Sequence, residues 1–107
     1  MRFEIVLAPQ AVQDLRVLPA RLRAEVRDAL ETHLRHQPGK LSKSRIKRLR
    51  GVIKPQFRLR VGEVRVFYDV RDETVEGLAI VSKDQAEAWL EDHGTPDAGS
   101  SSREGEG

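Results

Sequence analysis

The residues best placed to do chemistry are arginines that alternate with apolar side chains in residues 57–70, FRLRVGEVRVFYDV. Alternation with a period of two is the pattern of half-buried strands. Gly62 and Glu63 lie at the centre of this stretch, and glycine followed by any residue suits a two-residue type II′ turn. The sequence therefore predicts a β-hairpin with arginines along one face.

The predicted pairing sets Arg60 directly opposite Arg65, with Arg58 on the same face. Like charges that face each other across an antiparallel pair destabilise it. An anion that joins the guanidinium groups would remove this cost, which predicts a phosphate-binding site. The structural alternative is surface salt bridging to Asp69 or Glu76 on the same sheet. The opposite face of the hairpin is apolar and carries Phe57, Leu59, Val61, Val64, Val66 and Tyr68.

Positive charge is concentrated in residues 40–65, which hold ten basic side chains and one acidic one, a net charge of +9. Residues 66–107 instead hold three basic and eleven acidic side chains. A concentrated basic block favours a polyanionic partner, with nucleic acid the leading candidate and a solvated basic loop the alternative. The side chains predicted to contact RNA are Lys43, Arg45, Lys47, Arg48, Arg50 and Lys54, with Phe67 as an exposed ring that stacks on a base or lies under a loop or partner.

The composition excludes several classes of protein. At 107 residues the chain is expected to form one domain. The absence of cysteine excludes disulfides, thiolate metal sites and thiol nucleophiles. No apolar run approaches the length of a membrane span and the N-terminus reads as a strand, so a cytoplasmic protein without membrane contacts is expected.

The remaining elements follow from periodicity and breaker residues. Residues 2–7 read as a strand, residues 8–18 as a short helix that Pro19 ends, and residues 20–37 as a second helix. Residues 40–56 read as a basic loop. Residues 75–81 form a further strand, and Ser82 to Gln85 match a capping box that opens a helix ending near residue 93.

These elements predict an α+β domain over residues 1–93 with its helices on one face. The small antiparallel sheet comprises the N-terminal strand and a three-strand meander, and it is joined by an N-terminal helical hairpin and a short C-terminal helix. Residues 94–107 are rich in Gly, Ser, Pro, Asp and Glu and are expected to be a disordered tail.

No metal or other cofactor is expected. His33 and His36 lie three residues apart near the end of the second helix, so they could share a face. No third ligand is nearby, and histidine at a helix C-terminus is favourable through the helix dipole. The pair is interpreted as a feature of the helix end.

The sequence resembles the RelE/ParE superfamily of toxins from type II toxin–antitoxin systems over roughly residues 2–92. The likeness rests on three pieces in order: the basic segment KRLRG at residues 47–51, FRLRVGEVRVFY at residues 57–68, and a hydrophobic strand that enters Lys83. The RelE-like branch is favoured, because Arg58 and Arg60 match its basic strand residues and Arg65 matches its phosphate-contacting arginine.

The resemblance implies a metal-independent endoribonuclease that cleaves messenger RNA on the ribosome. In such toxins the 2′-hydroxyl of the RNA attacks the adjacent phosphorus, which leaves a 2′,3′-cyclic phosphate and a free 5′-hydroxyl. Arg58, Arg60, Arg65 and Lys83 are the implied catalytic set. Lys83 stands where arginine is usual, and it could accept a proton only if cationic neighbours and a helix N-terminus favoured its neutral form. Trp89 stands where tyrosine is frequent, and core packing is the favoured interpretation of its spacing.

Two other functions remain open. One is DNA gyrase inhibition by a ParE-like toxin, and the other is a catalytically inactive member that acts only with its antitoxin in operator binding. The implied partners are a cognate antitoxin that covers the basic face or displaces a helix, the ribosome with its messenger RNA, and operator DNA only as a toxin–antitoxin complex.

Overall fold

The computed structural model describes residues 1–97 and shows a five-stranded sheet that is packed by helices on both faces. The sheet order is β1-β6-β5-β4-β2, and β3 and β7 form a separate two-stranded sheet. The predicted α+β fold is confirmed. The elements are β1 (Glu4–Leu7), α1 (Pro9–Arg16), α2 (Ala20–Ala29, continued by a π-helical segment at Leu30–Leu34), β2 (Ile46–Arg48), β3 (Val52–Lys54), β4 (Phe57–Val61), β5 (Val64–Arg71), β6 (Thr74–Ser82), α3 (Lys83–His93) and β7 (Thr95–Pro96).

The β4–β5 hairpin lies near the centre of the sheet, in the register that the sequence predicts. Val61 pairs with Val64 and Arg60 with Arg65, and the pairing continues back to the first residue of β4, Phe57, which pairs with Tyr68. Gly62 has a φ of +59°, the sign that a type II′ turn requires at its first central residue. The pleat then places successive side chains on opposite faces of the sheet.

The prediction of a purely antiparallel sheet is wrong, because β1 pairs with β6 in parallel. Most of the chain separates these two strands, so no turn between them fixes their relative direction. A Cβ atom on Gly77 in β6 would lie 2.7 Å from Cδ2 of Leu7 in β1. A side chain at this position would require the Leu7 side chain to shift.

The first face of the sheet is covered by the helical hairpin. Val26, Leu30 and Leu34 share the repeat predicted for the second helix, and all three are buried in one cluster with Leu59, Val66 and Tyr68 of the sheet. The Tyr68 hydroxyl donates a 2.6 Å hydrogen bond to the carbonyl oxygen of Pro38, where the helical segment has ended. Burial raises the pKa of Tyr68 above its usual range.

The second face of the sheet is covered by α3, so the prediction that all helices share one face is wrong. Phe67 and Tyr68 are consecutive in β5 and point to opposite faces. Phe67 stacks on Trp89 of α3 with the ring centroids 4.9 Å apart. None of the residues of α3 is fully buried. The helix therefore has no strong apolar stripe from which the sequence could predict the sheet face that it covers.

Three local predictions also need correction. The basic segment is not all loop, because β2 adds to the sheet edge beside β4. Ser82 makes no capping hydrogen bond through its side chain; it still belongs to β6 and pairs with Val64. The predicted disorder does not begin at residue 94, because Thr95–Pro96 pairs with β3. The rest of the predicted tail, residues 98–107, lies outside the described residues.

Candidate functional site

The second face of the hairpin gathers three guanidinium groups, which we name the arginine cluster: Arg58, Arg60 and Arg65. Arg60 and Arg65 are direct cross-strand partners, as the alternation predicts. Lys47 of β2 pairs with Arg58 on its other side, which extends the positive charge across three strands. A like-charged pair of this kind is unfavourable without an anion between its members.

The electrostatics of Arg58 show that the cluster is crowded. Burial lowers the pKa of Arg58, and the neighbouring charges of Arg65 and Arg60 lower it further. Its Nε atom is buried and has no hydrogen-bond partner among the described residues. A buried donor without a partner is costly, so Arg58 bears a free-energy cost in this arrangement.

No carboxylate in the described part of the chain forms an ion pair with the arginine cluster. None of the ion pairs within residues 1–97 includes Arg58, Arg60 or Arg65. The alternative interpretation of salt bridging to Asp69 or Glu76 is wrong, since both carboxylates lie near Lys54 instead, at 3.7 and 4.0 Å from its Nζ atom.

Arg65 is held in place by the turn of its own hairpin. Its Nη1 atom donates to the carbonyl oxygens of Gly62 and Val64, at 2.8 and 3.1 Å. These bonds use one edge of the guanidinium and limit the conformations of a long side chain. Preorganised donors are the arrangement that stabilises developing charge without reorganisation.

Lys83 lies at the same end of the sheet, next to the hairpin turn. Its backbone N–H donates to the carbonyl oxygen of Glu63, and its Nζ atom lies 3.5 Å from Oε1 of the same residue. The side chain is half exposed to solvent. The described neighbour of the ammonium is a carboxylate rather than a cation, so the cation-crowded surroundings that a proton-accepting role for Lys83 requires are not present.

The prediction that Phe67 is exposed among the arginines is wrong. Its side chain is fully buried, because Trp89 covers it. His93 lies against Trp89 in turn, with the ring centroids 5.2 Å apart. Trp89 packs against the sheet as expected but is only partly buried, and Phe67 offers no surface on which a nucleobase could stack.

The predicted RNA-contacting residues of the basic segment do not all share a surface. Arg45 adjoins the arginine cluster, because its carbonyl oxygen accepts the N–H of Arg60 at 2.8 Å. Lys47 lies beside Arg58, as described above. Lys43 and Arg50 are exposed in the loops before and after β2.

Two members of the segment are turned away from the cluster. The guanidinium of Arg48 lies 5.1 Å from the centre of the Phe57 ring, on the apolar side of the hairpin. Lys54 is engaged with Asp69 and Glu76. The sequence predicted one group of RNA-contacting residues from their charge alone. In the structure Arg48 lies by Phe57 and Lys54 lies by Asp69 and Glu76, so these two residues have other neighbours than the cluster.

Sequence reasoning treated His33 and His36 as a feature of the helix end and missed the cavity that they line with Lys40 and Arg45. The only signal in the sequence was the proximity of two histidines to the basic block. Within residues 1–97 no group of three or more histidine and carboxylate side chains is placed to hold a metal ion. None of the helices in this part of the chain has the length and apolar composition needed to cross a membrane.

Comparison with known proteins identifies the class to which this fold and site belong. The profile of the family described as the ParE toxin of the type II toxin–antitoxin system, parDE, matches residues 5–87. Comparison with curated proteins gave no significant match.

Solved structures with the same fold include toxins in complex with antitoxins. The RelBE2 complex of Mycobacterium tuberculosis matches with a TM-score of 0.67 and 26% identity, over 77% of this chain and 99% of that one. The RelE–RelB complex of Pyrococcus horikoshii OT3 matches with a TM-score of 0.56 and 28% identity, over 78% and 97% of the two chains. The DinJ–YafQ complex of E. coli shares the fold at 17% identity, with a TM-score of 0.59 over 78% and 96%.

These findings define the molecule as the toxin component of a type II toxin–antitoxin system. The chain belongs to the ParE toxin family, within the RelE/ParE superfamily that its motifs resemble.

Proposed function

We propose that this toxin is a ribosome-dependent endoribonuclease that cleaves messenger RNA at the arginine cluster. The 2′-hydroxyl of the substrate gives its proton to solvent as it forms a new bond to the adjacent phosphorus, and the 5′-oxygen takes a proton from solvent as its bond to phosphorus breaks. The products are a 2′,3′-cyclic phosphate and a 5′-hydroxyl, so the reaction needs neither a protein nucleophile nor a water nucleophile.

One observation carries this proposal: three arginines lie on one sheet face, near enough for the charges of Arg65 and Arg60 to lower the pKa of Arg58, and no carboxylate within residues 1–97 forms an ion pair with them. The transition state for attack on phosphorus places additional negative charge on its non-bridging oxygens. Fixed donors directed at this charge are usually the largest single contribution to catalysis. The unpartnered Nε of Arg58 supports the same assignment, because a phosphate oxygen would satisfy it.

The members of the site have distinct proposed roles. Arg65, fixed by the hairpin turn, and Arg58, with its unpartnered Nε, bind the scissile phosphate through directed hydrogen bonds. Arg60 adds charge at the exposed edge of the cluster. Lys83 contributes a further positive charge near the turn, but as a point charge without the planar geometry of a guanidinium. Arg45 and Lys47 bind adjacent phosphates of the RNA backbone.

We further propose that a cognate antitoxin with an acidic surface binds this basic face. The neighbours from M. tuberculosis, P. horikoshii and E. coli were each solved with an antitoxin. In this chain, residues 40–65 carry a net charge of +9, so an acidic partner gains favourable electrostatics and blocks access of RNA.

Gyrase inhibition is the second candidate function, because the matching family profile is described as ParE. That activity would use a protein-binding surface and would not need an unpaired arginine cluster. An inactive member is the third candidate, since Trp89 is packed against Phe67 and has no ionisable hydroxyl to offer. The cluster is the reason to place nuclease activity first.

The test is cleavage of a defined messenger RNA on purified ribosomes, with cut sites mapped by primer extension. The wild-type toxin should cut within codons and leave 5′-hydroxyl ends. Arg65→Gln should lower the cleavage rate by about 100- to 1,000-fold, as expected for loss of one preorganised donor. Arg71→Gln is the matched control, because it removes an exposed arginine from the far end of the same strand.

Absence of ribosomal cleavage by the wild-type protein would overturn the nuclease proposal. If the same preparation inhibited DNA supercoiling by gyrase, the second candidate would replace it. Equal losses in Arg65→Gln and Arg71→Gln would instead attribute the activity to total charge and remove the arginine cluster from the mechanism.

A further inference from the structure

A second basic site lies at the sheet edge, where the helical hairpin ends and β2 begins. It is a cavity of about 220 Å³. We name it the histidine cavity. Its lining includes four side chains that carry or can acquire positive charge, His33, His36, Lys40 and Arg45, together with the hydroxyls of Thr32 and Ser42. None of the residues 1–97 that line it is a carboxylate.

Local structure fixes the walls of the histidine cavity. The Ser42 hydroxyl oxygen accepts the backbone N–H groups of Arg45 and Ile46, at 2.9 and 3.2 Å, which shapes the turn that leads into β2. Ile46 is buried in the core, so the turn is anchored to the sheet. On the other wall, the π-helical segment Leu30–Leu34 carries His33.

The C-terminal end of a helix normally repels an anion, because its free carbonyl groups carry partial negative charge. Here the C-cap carbonyl oxygen of Arg35 already accepts the N–H of Phe3 at 2.7 Å. This bond offsets part of the negative helix end that the positive side chains of the cavity oppose.

The histidine cavity is connected to the arginine cluster through Arg45. The same residue lines a second cavity with Ser44, Arg60 and Gly62. The backbone bond from Arg60 N–H to the Arg45 carbonyl oxygen holds the turn before β2 against β4. A path of positive charge thus runs from His33 past Arg45 to the cluster.

We infer that the histidine cavity is a phosphate subsite, which holds the backbone of single-stranded RNA away from the scissile phosphate. The identity of the ligand as RNA depends on the proposed function, whereas binding of a phosphate group does not. Lys40, Arg45 and a protonated His33 can donate to the oxygens of one phosphate, and so can Nε2 of His36, whose Nδ1 lies 3.1 Å from the Met1 carbonyl oxygen. The continuity with the arginine cluster favours RNA over an isolated carboxylate of a protein partner.

The state of His33 shows that the charge of Arg45 reaches the imidazole. Burial lowers the pKa of His33, and the neighbouring charge of Arg45 lowers it further. The other groups that face it are His36 on the same helical end and Lys40 in the turn that follows. A phosphate in the cavity would favour the protonated imidazole and raise this pKa.

The experiment follows the ring signals of the three histidines in the full chain by NMR. Inorganic phosphate and a short 2′-O-methyl RNA, which cannot be cleaved, are titrated separately. Both probes should shift the signals of His33 and His36. His93 stacks on Trp89 at another part of the molecule and serves as the internal reference, so its signals should stay in place.

Two lysine variants provide the matched comparison. Lys40→Gln removes a cavity charge and should weaken phosphate binding by about tenfold, the usual effect of losing one charge-assisted hydrogen bond. Lys43→Gln removes the same charge from the same segment but outside the cavity lining. It should leave the phosphate response of His33 and His36 unchanged. A difference between the two variants would show that phosphate binds at a specific site and is not only attracted by the overall positive charge.

Each outcome decides the inference. Equal shifts at all three histidines, or equal losses in Lys40→Gln and Lys43→Gln, would overturn the subsite. A phosphate response that the 2′-O-methyl RNA does not compete for would overturn its assignment to RNA. Displacement of phosphate by an acidic antitoxin peptide, with no effect of RNA, would assign the cavity to the antitoxin.

The double variant R58Q/R65Q separates this inference from the proposed function. It should lose cleavage while the response of His33 and His36 to phosphate persists. If the wild-type protein fails to cleave but the cavity still binds phosphate and RNA, the nuclease proposal fails and the subsite stands.

Discussion

On one face of the β4–β5 hairpin, Leu59, Val66 and Tyr68 are buried beneath the helical hairpin. On the other face, alternate residues of the same strands place Arg58 and Arg65 in a partly exposed cluster without carboxylate partners in residues 1–97. The first face is packed and hydrogen-bonded, and the second retains an unpartnered donor. The apolar face accounts for stability, and the charged face bears a cost that a ligand can remove.

Neighbouring substitutions on the two faces should separate stability from activity most clearly. Leu59→Ala should lower the free energy of unfolding by about 2–5 kcal/mol, because it leaves a cavity in the core. Arg60→Gln, one residue along β4, should change it by less than about 0.5 kcal/mol, in the stabilising direction, because it relieves the pairing with Arg65. Urea denaturation followed by circular dichroism measures both.

In that comparison the cleavage rate should fall for Arg60→Gln when both proteins are assayed in the folded state. Equal destabilisation by the two substitutions would show that the charged face also supports the fold, and the division of roles between the faces would be lost.

A smaller effect is expected from the polar contact within the apolar face. Tyr68→Phe leaves the ring stacked on Phe57 but removes the donor to the Pro38 carbonyl oxygen. The loss should lower the free energy of unfolding by about 1–3 kcal/mol, because the buried carbonyl is left without a partner. The cleavage rate should not change. Unchanged stability would mean that another donor, such as water, reaches this carbonyl.

The smallest effect concerns pH and His33, whose pKa is lowered in the folded state. As the pH falls through the ordinary pKa of histidine, the unfolded chain takes up a proton that the folded chain does not yet bind. The free energy of unfolding therefore decreases on acidification. His33→Gln should remove this part of the pH dependence. Urea midpoints at about pH 7.5 and about pH 5.5 in phosphate-free buffer measure it.

Added phosphate gives that experiment a second use. If the histidine cavity binds the anion, phosphate should reduce the loss of stability at low pH in the wild-type protein but not in His33→Gln. A phosphate effect of equal size in both proteins would place the binding elsewhere.

Much of the site was predictable because its signals are local. The register of Arg60 against Arg65 follows from a two-residue turn at Gly62 and a period of two, and no distant contact is needed. The burial of Phe67 was not predictable in this way. Its position in β5 placed it correctly beside the arginines, but whether it is exposed depends on Trp89, which approaches from a helix more than twenty residues later in the chain.

By itself, the sequence determined the hairpin, the apolar stripe of α2, the α+β class and the face that bears the arginine cluster, because periodicity and turn chemistry act between near neighbours. Only the tertiary structure decided that β1 runs parallel to β6, that α3 covers Phe67 and that Lys54 pairs with Asp69 and Glu76. It also decided that His33, His36, Lys40 and Arg45 enclose one cavity. These arrangements join segments that are distant in the chain, and their geometry is set by packing, on which local patterns carry no information.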